Sequence, residues 1–202
     1  MKAKLGIVLM ALGLVLIAAA LGLFLSNTLE QQQAADAVEA VMPRLVEAIL
    51  DQADTPDTAA EAPKTPEQYT PKQMTVANID GHGYIGFVGI PALELELPVM
   101  ADWSYPQLKL SPCRFTGNLY ENDLVIMAHN YAHHFGGLKD LRTGDVVTFT
   151  DMEGVTVDYS VVAIDVLGPM DVEEMTAGEY DLTLFTCTYG GKSRVTIRCD
   201  RS

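Results

Sequence analysis

Hydrophobic positions along the chain fall into three successive patterns. Residues 5–25 are continuously apolar and carry no charge. Residues 27–52 are rich in helix formers and repeat apolar side chains at roughly helical spacing, at Val38, Val41, Leu45, Ala48 and Ile49. From about Thr75 onward, short apolar or alternating runs are separated by turn residues, as in strands. The pattern predicts an apolar helix, an amphipathic helical stalk and a β-rich domain.

The apolar run is long enough to cross a membrane. At about 1.5 Å per residue it spans roughly 30 Å as a helix, which matches the hydrocarbon core of a bilayer. A cleaved signal peptide would have a shorter apolar core and a small-x-small site, whereas this run ends in Leu-Phe-Leu-Ser-Asn. Lys2 and Lys4 precede it, so the positive-inside rule predicts a cytoplasmic N-terminus and an extracellular remainder.

Composition divides the remainder into segments. Pro43 is expected to interrupt the stalk, so one or two helical pieces are predicted there. Residues 53–71 are dominated by Asp, Thr, Ala, Glu and Pro, which is typical of an extended or disordered spacer. The predicted organisation is a cytoplasmic tail (1–4), a transmembrane anchor (5–25), a helical stalk (26–52), a flexible spacer (53–73) and a β-rich domain (74–202).

The last segment is predicted to be mainly β. Seven runs have strand character: 84–91, 93–100, 123–128, 145–150, 155–164, 181–186 and 194–198. That number of strands in about 130 residues is typical of a barrel or a sandwich. Two short helices are predicted, at 105–108 and 135–141.

The charge of the chain excludes several classes of partner. The formal net charge is −14, and the part after residue 25 has 11 basic against 27 acidic residues, a charge of −16. Such a surface repels nucleic acid and anionic lipid head groups. The carboxylates are scattered without an Asp-x-Asp-x-Asp-Gly loop, so neither calcium nor any other metal or cofactor is predicted.

Three cysteines in an exported chain leave at least one thiol unpaired within the monomer. Cys187 ends a predicted strand and precedes a loop, a rigid but accessible position for a nucleophile. Cys113 and Cys199 are expected to be small core residues or a disulfide pair, and the sequence leaves these alternatives open.

A thiol that attacks an amide needs a base to form the thiolate and a cation or dipole to stabilise the oxyanion. His129 has the same strand-end placement as Cys187 and is the predicted base. His133 and His134 are expected to be solvated in a loop, and His82 lies in a turn. No standard zinc-ligand spacing links these residues.

Arg194 is the predicted oxyanion group, because it starts a strand across a Gly-Gly turn from Cys187. Arg198 shares its strand but lies about 13 Å further along, at roughly 3.3 Å per residue. Arg198 and Arg142 are expected to form surface ion pairs.

The string Thr183-Leu184-Phe185-Thr186-Cys187 resembles the sortase signature Thr-Leu-x-Thr-Cys. Arg194 followed by Val-Thr-Ile, and His129 within Ala-His-Asn, are similar to the arginine and histidine segments of that family. The resemblance covers roughly residues 75–202 and implies a closed barrel of about eight strands. The histidine followed by Asn is similar to class B sortases, whereas the turn before Arg194 is similar to class C or D members. A class B or D-like enzyme is expected.

The resemblance implies a cell-surface transpeptidase. By this resemblance, Cys187 is expected to attack the threonine carbonyl of a C-terminal Leu-Pro-x-Thr-Gly-like sorting motif, and an amine of a peptidoglycan precursor or a pilin lysine is expected to release the acyl-enzyme. His129 is expected to move the protons, Arg194 to hold the carbonyl oxygen, and Thr186 and Asn130 to position the motif. The alternatives are an exported cysteine peptidase, in which Cys usually precedes His, and a non-catalytic interaction domain with the same fold.

Overall fold

A computed structural model describes residues 2–53 and 72–202. The spacer predicted for residues 53–73 lies, for nearly all its length, outside these residues. The described chain contains three α-helices: α1 (Lys2–Ala53), α2 (Tyr105–Leu108) and α3 (Val172–Met175). It contains nine strands: β1 (Ala77–Ile79), β2 (His82–Ile90), β3 (Leu95–Met100), β4 (Cys113–Thr116), β5 (Leu124–Ala128), β6 (Val146–Asp151), β7 (Thr156–Leu167), β8 (Leu182–Cys187) and β9 (Arg194–Arg201).

The strands close into a barrel. Their order is β1-β2-β3-β4-β5-β8-β9-β7-β6, and β6 also pairs with β2, so strands β2 to β9 form a closed ring of eight. The strand β1 extends β2 outside this ring. Two pairs are parallel, β3–β4 and β5–β8, and the others are antiparallel. The predicted barrel of about eight strands with short helices is confirmed.

Alternation along the strands separates the interior of the barrel from its outer face. In β8 and β9, the side chains of Leu182, Leu184, Ile197 and Cys199 belong to the main buried cluster with those of the other strands. The alternate residues Phe185 and Cys187 lie on the outer face, where Phe185 packs with Val125 and Met175 in a separate small cluster. Cys187, the predicted nucleophile, is therefore on the outside of a filled barrel.

The helix α1 is continuous, contrary to the expected interruption at Pro43. Proline removes one backbone hydrogen bond and costs about 3 kcal/mol in a helix interior. Val41 and Leu45, on either side, are buried against β1, β2 and neighbouring residues, and this packing stabilises the helix through the proline. An ion pair between Arg44 and Asp80 adds a polar contact. The second half of α1 thus packs on the barrel rather than standing apart from it.

The first half of α1 is different. It is long and apolar enough to cross a membrane, on length and composition, and its apolar window is not buried by the rest of the protein. Side chains such as Leu14, Leu16 and Phe24 are exposed, with no covering layer among the described residues. This composition fits the predicted membrane anchor.

Two strands were not predicted. The strand β1 is only three residues long, and β4 has the sequence Cys-Arg-Phe-Thr between Pro112 and Gly117, too short for a recognisable alternation. The predicted helix at 105–108 is α2, and the one predicted at 135–141 is a 3-10 helix at Phe135–Asp140.

Candidate active site

The three residues predicted to carry the chemistry meet at one end of β5, β8 and β9. Cys187, the last residue of β8, is paired directly with Arg194, the first residue of β9. His129 follows the last residue of β5, whose partner in the parallel β8 strand is Thr186. Neighbouring strands lie about 4.8 Å apart, so His129 and Cys187 are adjacent across this parallel pair. All three side chains line the same pocket.

Thr186 joins the two strand ends. Its side chain is only 4% exposed, and its hydroxyl donates a hydrogen bond of 2.8 Å to the carbonyl oxygen of Ala128. Because Cys187 and His129 are the next residues in each strand, this bond fixes the backbone that carries both. The structure therefore gives the Thr186 hydroxyl a partner within the protein.

The loop between β8 and β9 orients Arg194. Gly190 and Gly191 have φ angles of +81° and +70°, which glycine adopts without strain. The Arg194 Nη1 group donates hydrogen bonds to the carbonyl oxygens of Gly191 and Ser193, at 3.1 and 3.2 Å. Its Nε and Nη2 groups have no partner among the described residues. These groups are available to a carbonyl oxygen in the pocket.

The environment of His129 favours the neutral imidazole. Burial lowers its pKa below 6.5, the nearby Lys109 ammonium lowers it further, and Glu30 of α1 opposes this with a smaller effect. The Tyr131 ring packs against His129 with its centroid 4.8 Å away, and the Tyr131 hydroxyl donates to the Glu30 carboxylate at 3.2 Å. Glu30 also pairs with Lys109 at 3.0 Å. A neutral imidazole can accept the proton of the Cys187 thiol.

The pocket beside these residues is apolar, with a volume of about 190 Å³. Trp103, Phe115 and Phe185 form a chain of ring contacts along it, with centroids 5.8 and 5.4 Å apart. It is also lined by Pro169, Val172 and Met175, in the segment that connects β7 to β8. A pocket with apolar walls and three polar groups at one end fits an extended peptide with an apolar side chain.

A second pocket, of about 290 Å³, lies on the other side of Cys187. It is lined by Asn130, Lys139 and Tyr189 among others, and Thr186 and Cys187 belong to both pockets. Asn130 is exposed at this position and is separate from the apolar pocket. Cys187 therefore lines two separate pockets.

The other two cysteines are not part of the site. Cys113 and Cys199 are free and fully buried, and burial raises the pKa of each thiol to about 12. Cys113 is in β4 and Cys199 in β9, with two strands between them, so their backbones are roughly 14 Å apart at 4.8 Å per strand. A disulfide needs Cα atoms within about 7 Å, which leaves both as core residues.

Two sequence-based expectations about polar residues are wrong. His134 is not solvated but fully buried, whereas His133 is exposed. Arg198 is not a surface residue either, because it is only 4% exposed and makes several internal hydrogen bonds. Both were missed because they lie in sequence contexts typical of the surface.

Several contributors to the site had no local signal in the sequence. The aromatic wall depends on β4, which was not predicted, and Glu30 reaches the His129 loop from α1, 99 residues earlier. Among the described residues, no group of three or more His, Cys, Asp or Glu side chains could hold a metal ion.

Comparison with known proteins gives a consistent result. A family model described as Sortase domain matches residues 88–202. Solved structures similar to this chain include sortase C1 from Streptococcus suis, with 29% identity over 60% of this chain and 74% of that chain and a TM-score of 0.52. Sortase C1 from Streptococcus agalactiae has 26% identity, covering 61% and 70%, with a TM-score of 0.53. A search of curated proteins found no match.

A third structure extends the likeness in fold. Streptococcus pneumoniae sortase C is 24% identical, and the match covers 85% of this chain and 96% of that chain with a TM-score of 0.54. That coverage takes in part of the region before the barrel. The class B or D-like assignment stays a prediction, because the similar structures named here are of class C.

Proposed function

Because this chain belongs to the sortase family, whose members are cysteine transpeptidases, we propose that it cleaves a C-terminal sorting motif of the Leu-Pro-x-Thr-Gly kind and transfers the protein to an amine. The observation that carries the proposal is the convergence of Cys187, His129 and Arg194 at one end of the barrel, beside an apolar pocket. Three polar groups of this kind, on three strands, suit acyl transfer.

In the first step, His129 accepts the thiol proton and the Cys187 sulfur attacks the carbonyl carbon of the motif's threonine. The N–H groups of Arg194 that have no internal partner donate to the carbonyl oxygen as it becomes negative. The C–N bond to the following glycine breaks, and His129 returns the proton to the leaving amine. The product is a thioester between the threonine and Cys187.

In the second step, an amine attacks the thioester carbonyl and loses its proton to His129, and the Cys187 sulfur leaves. The donor motif fits the apolar pocket, and the second pocket gives the amine a separate approach. Asn130 lines that second pocket, so we assign it to positioning the incoming amine or the end of the motif. Thr186 contributes by holding the ends of β5 and β8 together.

The setting we propose is the cell surface. Residues 5–25 anchor the enzyme in the plasma membrane, the N-terminus is cytoplasmic, and the barrel is outside the cell with its membrane-attached substrates. The amine comes from a peptidoglycan precursor or from a pilin lysine.

The experiment is an acyl-transfer assay on the full chain in detergent micelles. Leu-Pro-x-Thr-Gly and Asn-Pro-x-Thr-like peptides are supplied with a peptidyl amine, and the enzyme and products are weighed by mass spectrometry. The expected result is a thioester adduct and a transferred product, both lost in Cys187→Ala and retained in the matched variant Cys113→Ala. Hydrolysis without transfer indicates a peptidase, and an unmodified thiol with every peptide indicates a binding domain.

A further inference from the structure

One wall of the apolar pocket is a connection rather than a strand. Residues 168–181 leave the end of β7, pass over the outer face of the barrel and return to β8. They contribute Pro169, Val172 and Met175 to the pocket. The Met175 side chain is 3% exposed and packs on Val125 and Phe185. The shape of the pocket therefore depends on where this connection is held.

Arg198 makes several polar contacts with it. The Nη2 group donates to the carbonyl oxygen of Glu174 at 2.6 Å, and Nη1 donates to that of Met175 at 3.0 Å. Both carbonyls belong to the connection. The guanidinium also lies 5.2 Å from the ring centroid of Tyr180, further along the same segment.

The remaining bonds of Arg198 are to the strands on either side. Nη1 donates to the Thr183 hydroxyl of β8 at 3.2 Å, and Nε donates to the Asp165 carboxylate of β7 at 3.1 Å. Each guanidinium nitrogen thus has a partner, and the partners come from β7, β8 and the connection. A planar group with donors in a fixed fork sets the relative position of three elements more closely than a flexible ammonium could.

Arg198 also shares a face of β9 with Arg194, four residues earlier. One strand therefore carries both the proposed oxyanion group and the group that holds the pocket wall. Any movement of the connection relative to Arg198 changes the distance between the wall and the reacting carbonyl.

We propose that Arg198 is a positioning residue for substrate recognition, which fixes the 168–181 wall and so sets how closely the apolar side chain of the peptide is held beside Cys187. This inference rests on the proposed transpeptidase function. Arg198 acts through Met175 and its neighbours and does not itself touch the substrate.

The test compares Arg198→Met, Arg198→Lys and the exposed control Arg142→Met in the full-length enzyme. For Arg198→Met we expect KM for the sorting peptide to rise by about tenfold and kcat to change less. Discrimination between leucine and alanine at the apolar motif position is expected to fall by a similar factor, as kcat/KM. Arg198→Lys keeps the charge but not the fork, so it is expected to fall between wild type and Arg198→Met.

Two further measurements keep the test decisive. Hydrogen exchange of the amides of residues 169–177 is expected to be about tenfold faster in Arg198→Met, while iodoacetamide alkylation of Cys187 changes less than about twofold. If Arg198→Met does not fold, Asp165→Asn, which alters a partner 41% exposed, is expected to raise KM in the same direction by a smaller factor.

The two proposals fail in different ways. A wild-type enzyme that forms no acyl-enzyme overturns the proposed function, while unchanged amide exchange in Arg198→Met still overturns the role of Arg198. If the wild-type enzyme is active but Arg198→Met, or Asp165→Asn in its place, changes neither KM nor the discrimination between leucine and alanine, the role of Arg198 is overturned. The proposed transpeptidase function then still stands.

Discussion

The buried His134 side chain makes the fold sensitive to mild acid. The residue is fully buried, and neither ring nitrogen has a hydrogen-bond partner among the described residues. Burial is the main cause that lowers its pKa from 6.5 to about 4, with smaller effects of the same sign from His129 and His133 and a still smaller opposing effect from the Leu110 backbone, which does not reach hydrogen-bond geometry. Protonation of this ring in the folded protein is therefore unfavourable.

The direction and size of the effect follow from linkage. The unfolded chain binds a proton at His134 near pH 6.5, and the folded chain does so only near pH 4. Stability is therefore fully present above about pH 6.5 and is lost as the pH falls toward 4. Between pH 7.5 and 5 the loss amounts to about 2 kcal/mol from this residue, because one pKa unit corresponds to about 1.4 kcal/mol.

The assay is denaturant unfolding at pH 7.5 and pH 5, followed by the fluorescence of Trp103, the single tryptophan. His134→Phe replaces the ring by one of similar shape and loses no hydrogen bond. Between pH 7.5 and 5, its free energy of unfolding is expected to fall by about 2 kcal/mol less than that of wild type. His133→Gln, at the exposed neighbouring position, is the matched control and is expected to keep nearly all of the wild-type dependence, because His133 has only a minor effect on the pKa of His134. If His134→Phe and wild type lose the same stability on acidification, the buried neutral imidazole is refuted.

Three other predictions concern α1, the thiols and His129. Leu45→Ala is expected to lower the free energy of unfolding by about 2–5 kcal/mol, because Leu45 is fully buried. Leu50→Ala, on the exposed side of the helix, is expected to lower it by less than about 0.5 kcal/mol. Equal losses in the two variants would contradict the packing of α1 on the barrel. Iodoacetamide is expected to label one thiol in the native protein and none in native Cys187→Ala. The other two thiols are expected to react only after denaturation, because burial raises the pKa of Cys113 and Cys199 to about 12. A second label on the native protein would count against this prediction. In an NMR titration, Glu30→Gln is expected to lower the pKa of His129 further, and Lys109→Gln is expected to raise it. Asp36→Asn, on the same helix as Glu30, is the control. Shifts of the opposite sign would contradict the effects assigned to Glu30 and Lys109.

The sequence predicted the strands that carry the three candidate catalytic residues because each is a clear apolar or alternating run. The strands β5, β8 and β9 begin within a residue of their predicted starts, and the pairing of Cys187 with Arg194 follows from the short turn between them. The position of His129 beside Cys187 is harder to predict from the sequence. It depends on the parallel pairing of β5 with β8, which no local pattern specifies.

The packing between distant segments was the part that the sequence could not supply. A helical pattern with Leu45 and Ile49 on one face requires an apolar partner but does not say which one, so the sequence predicts only a stalk for residues 26–52. Arg198 illustrates the same limit. An arginine among Val-Thr-Ile and Cys-Asp looks like a surface residue until the 168–181 connection is seen to cover it.

Because β9 lies between β7 and β8 in the sheet, closure of the barrel and the position of Arg194 depend on the same strand. Although β7 and β8 are consecutive in the chain, they do not pair with each other, and β9 bonds to both. Until β9 is in place, the ring has a gap at the edge where Cys187 ends its strand. The strand that fills the gap also carries Arg194, so the closed barrel and the Cys187–Arg194 pair depend on the same strand. The β8–β9 pair is a local hairpin, whereas the β7–β9 pair joins strands separated by the 168–181 connection, and the ring is complete only when β9 bonds to both.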